Sequence, residues 1–360
     1  MIKRFGAAFA AAALAVVATV GLSGPAMAQK TIHITFVSGH PPILPWSIHY
    51  LKTLIPTIDK TLAKDGKYVI KWNKAFGGVL AKPGEELEAI QEGLADFGQA
   101  LTIFEPAKMP LHTVGYATPF QPTAPTVAAR VMEKLQKDIP EMGAFWDKYN
   151  QVYVGGGIAA DVFNIWSTKP IHSVEDVKGM KLGGAPPTAN WVANTGAIHV
   201  ISGLSDNYNN LKSGLVDGVI LFVTGAVPNK YYEVAKHVAV VNFGSTFGGG
   251  LTVNKQSWNG YPPEVKQAIM TGVHAFDIAF NAQLKTNIAD GWAALKKTDS
   301  EIYTFTEAQR VAWAKKLPPL GKIWVEAMNK KGLPGRKVLE GYMNGIRAMG
   351  YKFPRDWDKE

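Results

Sequence analysis

The chain has 360 residues, 38 lysines and arginines against 29 aspartates and glutamates, a formal charge of +9 and no cysteine. The missing cysteines exclude a disulfide framework, thiolate metal sites and a cysteine nucleophile together, so stability must come from an apolar core. The basic residues are scattered, with no run longer than two; that pattern describes a solvated surface and argues against nucleic-acid binding, while leaving a mild bias toward anionic solutes or surfaces.

The N-terminus reads as an export signal. Lys3 and Arg4 precede an apolar run from Phe5 to Leu22, and Pro25-Ala26-Met27-Ala28 supplies a small-residue cleavage motif before Gln29. Cleavage after Ala28 leaves 332 of the 360 residues and lowers the charge to +7. No later stretch is apolar enough to span a bilayer, so a soluble protein of the periplasm is expected.

The mature chain opens with a strand over 31–37, ended by Ser38-Gly39-His40-Pro41-Pro42. Helical spacing follows over 46–62, then a strand within 67–72 and a turn at Phe76-Gly77-Gly78. From Pro83 a helix is predicted by Leu87, Ile90 and Leu94, with Glu85 and Glu86 near its positive end. Ala95-Asp96-Phe97-Gly98 leads into a short strand over 99–103. The rhythm returns with strands over 162–166, 180–182 and 198–201 and helices through Trp191 and over 208–215. Such alternation predicts α/β lobes with mostly parallel sheets. The glycine clusters 155–157 and 248–250 are the expected crossovers between two lobes. A helix over 263–297 is long enough to brace both, and Thr306 with Gln309 forms a capping box opening the next one.

Catalytic signatures are missing from the sequence. It holds no Gly-rich phosphate loop and no H-E-x-x-H, and in Gly244-Ser245-Thr246-Phe247-Gly248 the serine stands one position too early for a nucleophile elbow. The eight histidines occur singly, without an i,i+4 pair, so no metal site and no cofactor is expected. His40 stands apart because it lies in a proline-rich loop at the end of the first strand, where α/β folds hold ligands.

Four segments carry a resemblance. They are 87–98 (LEAIQEGLADFG), 169–181 (KPIHSVEDVKGMK), 208–218 (YNNLKSGLVDG) and 231–236 (YYEVAK). In this order they resemble the periplasmic solute-binding proteins of TRAP (tripartite ATP-independent periplasmic) transporters, the extracytoplasmic receptors of the C4-dicarboxylate-binding type. The resemblance implies a two-lobed α/β fold with a ligand cleft between the lobes and a long bridging helix. Lobe I would be 29–155, completed by about 250–300; lobe II would be 156–249; helices of 300–360 would pack on both. It also implies a small-molecule solute, a small and a large membrane subunit as partners, uptake driven by an ion gradient, and no enzymatic activity.

Three positions depart from what the resemblance implies. Members of the family hold a solute carboxylate with an arginine where this chain has Gly183, often with a second arginine where it has Phe163, and with an asparagine where it has Leu221. A guanidinium forks onto two carboxylate oxygens, which none of these replacements does. Gly183-Gly184 removes bulk, while Phe163, Trp166, Tyr208, Phe222 and Trp46 offer flat apolar surface. The candidate ligand contacts are therefore His40, Trp46, Leu101, Thr102, Phe163, Asn164, Trp166, Gly183, Gly184, Leu204, Tyr208, Leu221 and Phe222. They suit a small organic acid, an aromatic one in particular, whose carboxylate is met by Lys82, His40 or the backbone N–H groups of 183–185. The alternatives are an amine or neutral polar solute, with Glu105 or Asp161 as counter-charge, and a sensory receptor outside transport.

Overall fold

A computed structural model describes residues 29–121 and 124–360. The expected signal peptide, residues 1–28, lies outside the described residues. In chain order the elements are β1 (Lys30–Ser38), α1 (Pro45–His49), α2 (Ile55–Leu62), β2 (Tyr68–Phe76), α3 (Glu86–Gln91), β3 (Phe97–Ala100), α4 (Pro125–Asp138), α5 (Pro140–Lys148), β4 (Gln151–Ala159), β5 (Phe163–Ser167), β6 (Lys181–Gly184) and β7 (Ile198–Ile201). There follow α6 (Asn207–Lys212), β8 (Gly218–Phe222), α7 (Val223–Ala226), β9 (His237–Gly244), β10 (Phe247–Asn254), α8 (Lys255–Gly260), α9 (Pro263–Leu295), β11 (Glu301–Thr304), α10 (Glu307–Lys316), α11 (Leu320–Asn329) and α12 (Gly335–Ala348).

Two sheets result. The first has strand order β2-β1-β3-β10-β4 and the second β11-β9-β5-β8-β6-β7. Each keeps a parallel part, but β10 runs antiparallel to both β3 and β4, and β5 runs antiparallel to both β8 and β9. The sheets are therefore mixed, not mostly parallel as the alternation suggested. The cause is topological: two direct strand-to-strand passages between the sheets, β4 to β5 and β9 to β10, carry no helix and cannot make a parallel crossover.

Those passages fall at residues 160–162 and 245–246, and the glycine clusters expected to mark them lie inside β4 and β10 instead. The two passages are tied to each other, since Ser245 Oγ donates to the Ala160 carbonyl and the Ala160 N–H donates to the Thr246 carbonyl. Glycine at 249 has its own reason: its φ is +148°, and a Cβ there would stand 2.0 Å from the Ala100 carbonyl oxygen of the neighbouring strand. The C-terminal stretch also differs from expectation at its start, where β11 joins the second sheet before the helices begin.

The helix α9 runs 33 residues, about 50 Å at 1.5 Å per residue. It packs on α1, α2 and β4 of the first lobe and on α7 of the second. Its first turn holds a proline and Glu264, which suit the positive end. The Thr306–Gln309 capping box forms at the start of α10. No helix among the described residues is long and apolar enough to cross a membrane.

Candidate functional site

The carboxyl ends of β1, β3, β6, β7 and β8 face one space, the position at which open α/β sheets receive ligands. After β1 the chain turns through Gly39 and His40 into α1, which carries Trp46. Gln99 lies near the end of β3 and Leu101 just beyond it. From the other sheet come Gly184 at the end of β6, Leu204 after β7, Leu221 and Phe222 at the end of β8, and Phe163 at the start of the antiparallel β5. All of these line one cavity between the lobes.

Its volume is about 70 Å³. A single water takes about 10–15 Å³ on that scale, so the space suits a small, compact solute. Aromatic side chains bridge it. The rings of Trp46 and Phe222, from different lobes, stand edge to face 6.5 Å apart, and Phe163 stands edge to face on Phe222 at 5.2 Å. Behind Phe163, Trp191 stacks between Tyr116 at 5.4 Å and Phe243 at 5.3 Å, so the wall is backed by a rigid aromatic core.

Eight of the thirteen residues singled out in the sequence line this cavity: His40, Trp46 and Leu101 from the first lobe, and Phe163, Gly184, Leu204, Leu221 and Phe222 from the second. The other five do not. Trp166 is fully buried three residues along β5, about 10 Å from Phe163 at the rise of a strand, where its Nε1 donates to the Leu221 carbonyl. Asn164 points its amide to the Val162 carbonyl and accepts from the Asn242 N–H. Thr102 donates to the Gly248 carbonyl, and Tyr208 donates to Glu233 on the outer side of its helix. Gly183 is one residue short of the cavity; a Cβ on it would stand 3.2 and 3.3 Å from Val219 and Ser202, tighter than ordinary packing, and 3.5 Å from Asn207. Gly184 has less room, since a Cβ would stand 2.4 Å from Thr188 Oγ1.

No lysine, arginine, aspartate or glutamate lines the cavity. Lys82 is exposed and outside the lining. Arg130 lines a separate surface depression between α4 and α9. Glu105 pairs with Lys108 at 3.2 Å. Asp161, in the first passage between the sheets, accepts from the Thr224 N–H at 3.0 Å, and burial pushes its carboxyl up to about 7. The one titratable lining residue able to carry positive charge is His40, and its burial pushes the imidazole down to about 4, so it is neutral at pH 7.

Sequence reasoning missed Gln99, which is fully buried and accepts from Ser38 Oγ at 3.1 Å. Its signal was present: an amide near the end of a short buried apolar strand has no reason to be there unless something meets it. It also missed Glu86, fully buried at the start of α3, whose two carboxyl oxygens accept from the N–H groups of Gly39 and Gly84 at 3.0 and 2.6 Å. Glu86 thereby holds the backbone immediately before His40.

Comparison with known proteins adds family and fold. The family described as bacterial extracellular solute-binding protein, family 7 (DctP), matches residues 61–331. The C4-dicarboxylate-binding periplasmic protein DctP of Rhodobacter capsulatus is 28% identical over 255 residues, covering 67% of this chain and 72% of that protein. Among solved structures, a TRAP solute-binding protein of Rhodoferax ferrireducens in complex with copurified benzoate superposes with a TM-score of 0.75 at 20% identity, covering 89% of this chain and 98% of the other. A marine metagenome TRAP solute-binding protein specific for aromatic acid ligands, from an unidentified microbe and crystallised with 3-hydroxybenzoate, gives a TM-score of 0.76 at 17% identity, with 88% and 98% covered. At such identities the two structures speak for the shared two-lobed fold.

Proposed function

We propose, from the premise that this chain belongs to family 7 of the bacterial extracellular solute-binding proteins, the solute receptors of TRAP transporters, that its solute is a small organic acid carrying an aromatic ring. One observation carries this reading: the cavity between the lobes is walled by Trp46, Phe163 and Phe222 and lined by no ionised side chain. A flat apolar guest gains from ring faces at that spacing, whereas a solute with two or more charges would bury one of them unpaired. The benzoate and 3-hydroxybenzoate held by relatives of the same fold agree with that chemistry.

Members of the family bind small solutes outside the cytoplasm and work with membrane components. For this chain we extend that to export with removal of residues 1–28, delivery to a small and a large membrane subunit, and release of the solute chemically unchanged. Glu105 and Asp161, the counter-charges an amine would need, are absent from the lining, which speaks against the amine alternative.

Thermal melting of the purified protein with a panel of acids tests the reading. Benzoate and 3-hydroxybenzoate at saturating concentration are expected to raise the melting temperature by several degrees, as binding to the native state alone requires. Succinate and benzylamine are expected to leave it unmoved. A shift with benzylamine and none with the aromatic acids would overturn the assignment.

A further inference from the structure

We infer that at neutral pH the solute's carboxylate is held without any positive charge, by three neutral donors of the first lobe: the Trp46 indole N–H, the Gln99 side-chain amide and the His40 Nδ1–H. This rests on the reading that the occupant is an aromatic acid, and it names the atoms that would recognise its head group.

The observation is a convergence. Trp46 Nε1, Gln99 Nε2 and His40 Nδ1 are each buried and without a hydrogen-bond partner, and all three residues line the same cavity. The rings of His40 and Trp46 are 5.3 Å apart. Native interiors rarely leave one buried polar atom unpaired, and three on residues that line one small space call for a guest that completes them.

What the guest must offer follows from the donor set. An indole nitrogen only donates, and so does the Gln99 amide nitrogen, whose carbonyl oxygen already accepts from Ser38. A neutral imidazole presents a donor at Nδ1 in one of its two tautomers. The head group must therefore accept, and accept at least three times. A carboxylate does so with two oxygens, and each bond is strengthened by its charge. An ammonium would leave the indole and amide donors unpaired, and an alcohol oxygen would satisfy too few of them.

The same arrangement sets specificity. With the head group seated on the first lobe, the remainder of the solute lies against Phe163, Leu204, Leu221 and Phe222 of the second, where Ser202 and Asn207 bond to each other and no charged side chain meets another charge. The class is a monocarboxylate with a ring, and dicarboxylates are excluded by the wall rather than by the anchor.

The test is calorimetric titration of dialysed full-length mature protein with benzoate, together with nitrogen–proton spectra of the tryptophan indoles. Benzoate is expected to move the Trp46 indole proton downfield in the wild type, the mark of a new hydrogen bond. Trp46→Phe keeps a ring but loses the donor, and Gln99→Met keeps the volume but loses the amide. Each is expected to weaken benzoate binding about 10- to 100-fold, the range for a lost hydrogen bond to a charged group. Should both variants bind benzoate as tightly as the wild type, or the indole proton stay in place at saturation, the anchor is overturned while the aromatic-acid reading survives. Because the indole measurement uses the wild type, it decides even if a variant fails to fold. Should the wild type bind no aromatic acid, the functional reading falls and the anchor with it.

Discussion

His40 shows how much one buried side chain commits the site to a charge state. Its ring stands within 5.3 Å of Trp46 and 6.5 Å of Phe104, and desolvation with no neighbouring charge lowers its pKa to about 4. A carboxylate beside Nδ1 would stabilise the imidazolium and raise that pKa in the complex. Between the two values the loaded protein binds more protons than the empty one, so by linkage affinity rises as pH falls through the higher value. Benzoate titrated from pH 8 to pH 5 is expected to bind progressively more tightly with uptake of a fraction of a proton; His40→Phe is expected to abolish the dependence, and a flat wild-type profile would show that His40 does not meet the carboxylate. At this scale the sequence was informative about position and poor about direction. Phe163 and Leu221 were legible because the family pattern marks their places, and both reach the cavity. Trp166 and Asn164 were drawn in by proximity in the same strand, yet a strand alternates its faces and advances about 3.3 Å per residue. Gln99 escaped because its neighbours Gly98 and Ala100 read simply as buried strand.

Glu86 belongs to the scale of elements, because it joins the first turn of α3 to the loop that ends β1. Its carboxyl accepts from Gly39 and Gly84, but full burial outweighs those bonds and pushes its pKa up to about 8. In the unfolded chain a glutamate titrates near 4.3. The folded state therefore holds a proton that the unfolded state releases between those values, so the stabilising contribution is complete at low pH and is lost as pH rises through about 8. The melting temperature is expected to fall from pH 6.5 to pH 8.5. Glu86→Gln cannot titrate; having exchanged an acceptor for a donor facing an N–H, it should be less stable by about 1 kcal/mol at pH 5 and, lacking the wild type's loss with pH, should match and then overtake it before pH 8.5. Asp161 and Asp277, both raised to about 7 mainly by burial, leave the variant a residual slope of the same sign, opposed below about pH 6.5 by His40 and His112, whose buried imidazoles are lowered to about 4. Parallel profiles for variant and wild type would refute the account. Among the elements, long periodic segments were legible: α9 starts at the expected Pro263 and ends two residues before the expected Lys297. The helix through Trp191 was not, because Pro186-Pro187 and the stacking of Trp191 on Tyr116 hold 186–192 as a 3-10 turn. The sense of the strands was hidden too, since it depends on which sheet a strand joins and not on its own pattern.

At the scale of the whole molecule, the division of labour across the cleft implies an order of events. All three unpaired donors belong to the first lobe, whereas the second contributes Phe163, Leu204, Leu221 and Phe222. A solute thus finds its unpaired donors on one lobe alone, since the polar Ser202 and Asn207 of the second bond to each other, and the apolar wall completes the site when the lobes meet at Trp46 and Phe222. Rotation of the lobes would turn on the paired passages at 160–162 and 245–246, which Ser245 ties to each other, with α9 touching both lobes. A ligand shifts such an equilibrium only by contacts that the closed form adds, and here those are contacts with rings. Phe222→Ala should therefore spare encounter and raise the dissociation rate of benzoate about 10- to 100-fold, the cost of a lost aromatic wall, with little change in association. The Trp46 indole shift at saturating benzoate should persist, because the anchor lies on the other lobe. Stopped-flow tryptophan fluorescence separates the two rates. A variant that lost association rate and kept its dissociation rate would place first contact on the second lobe and reverse the order.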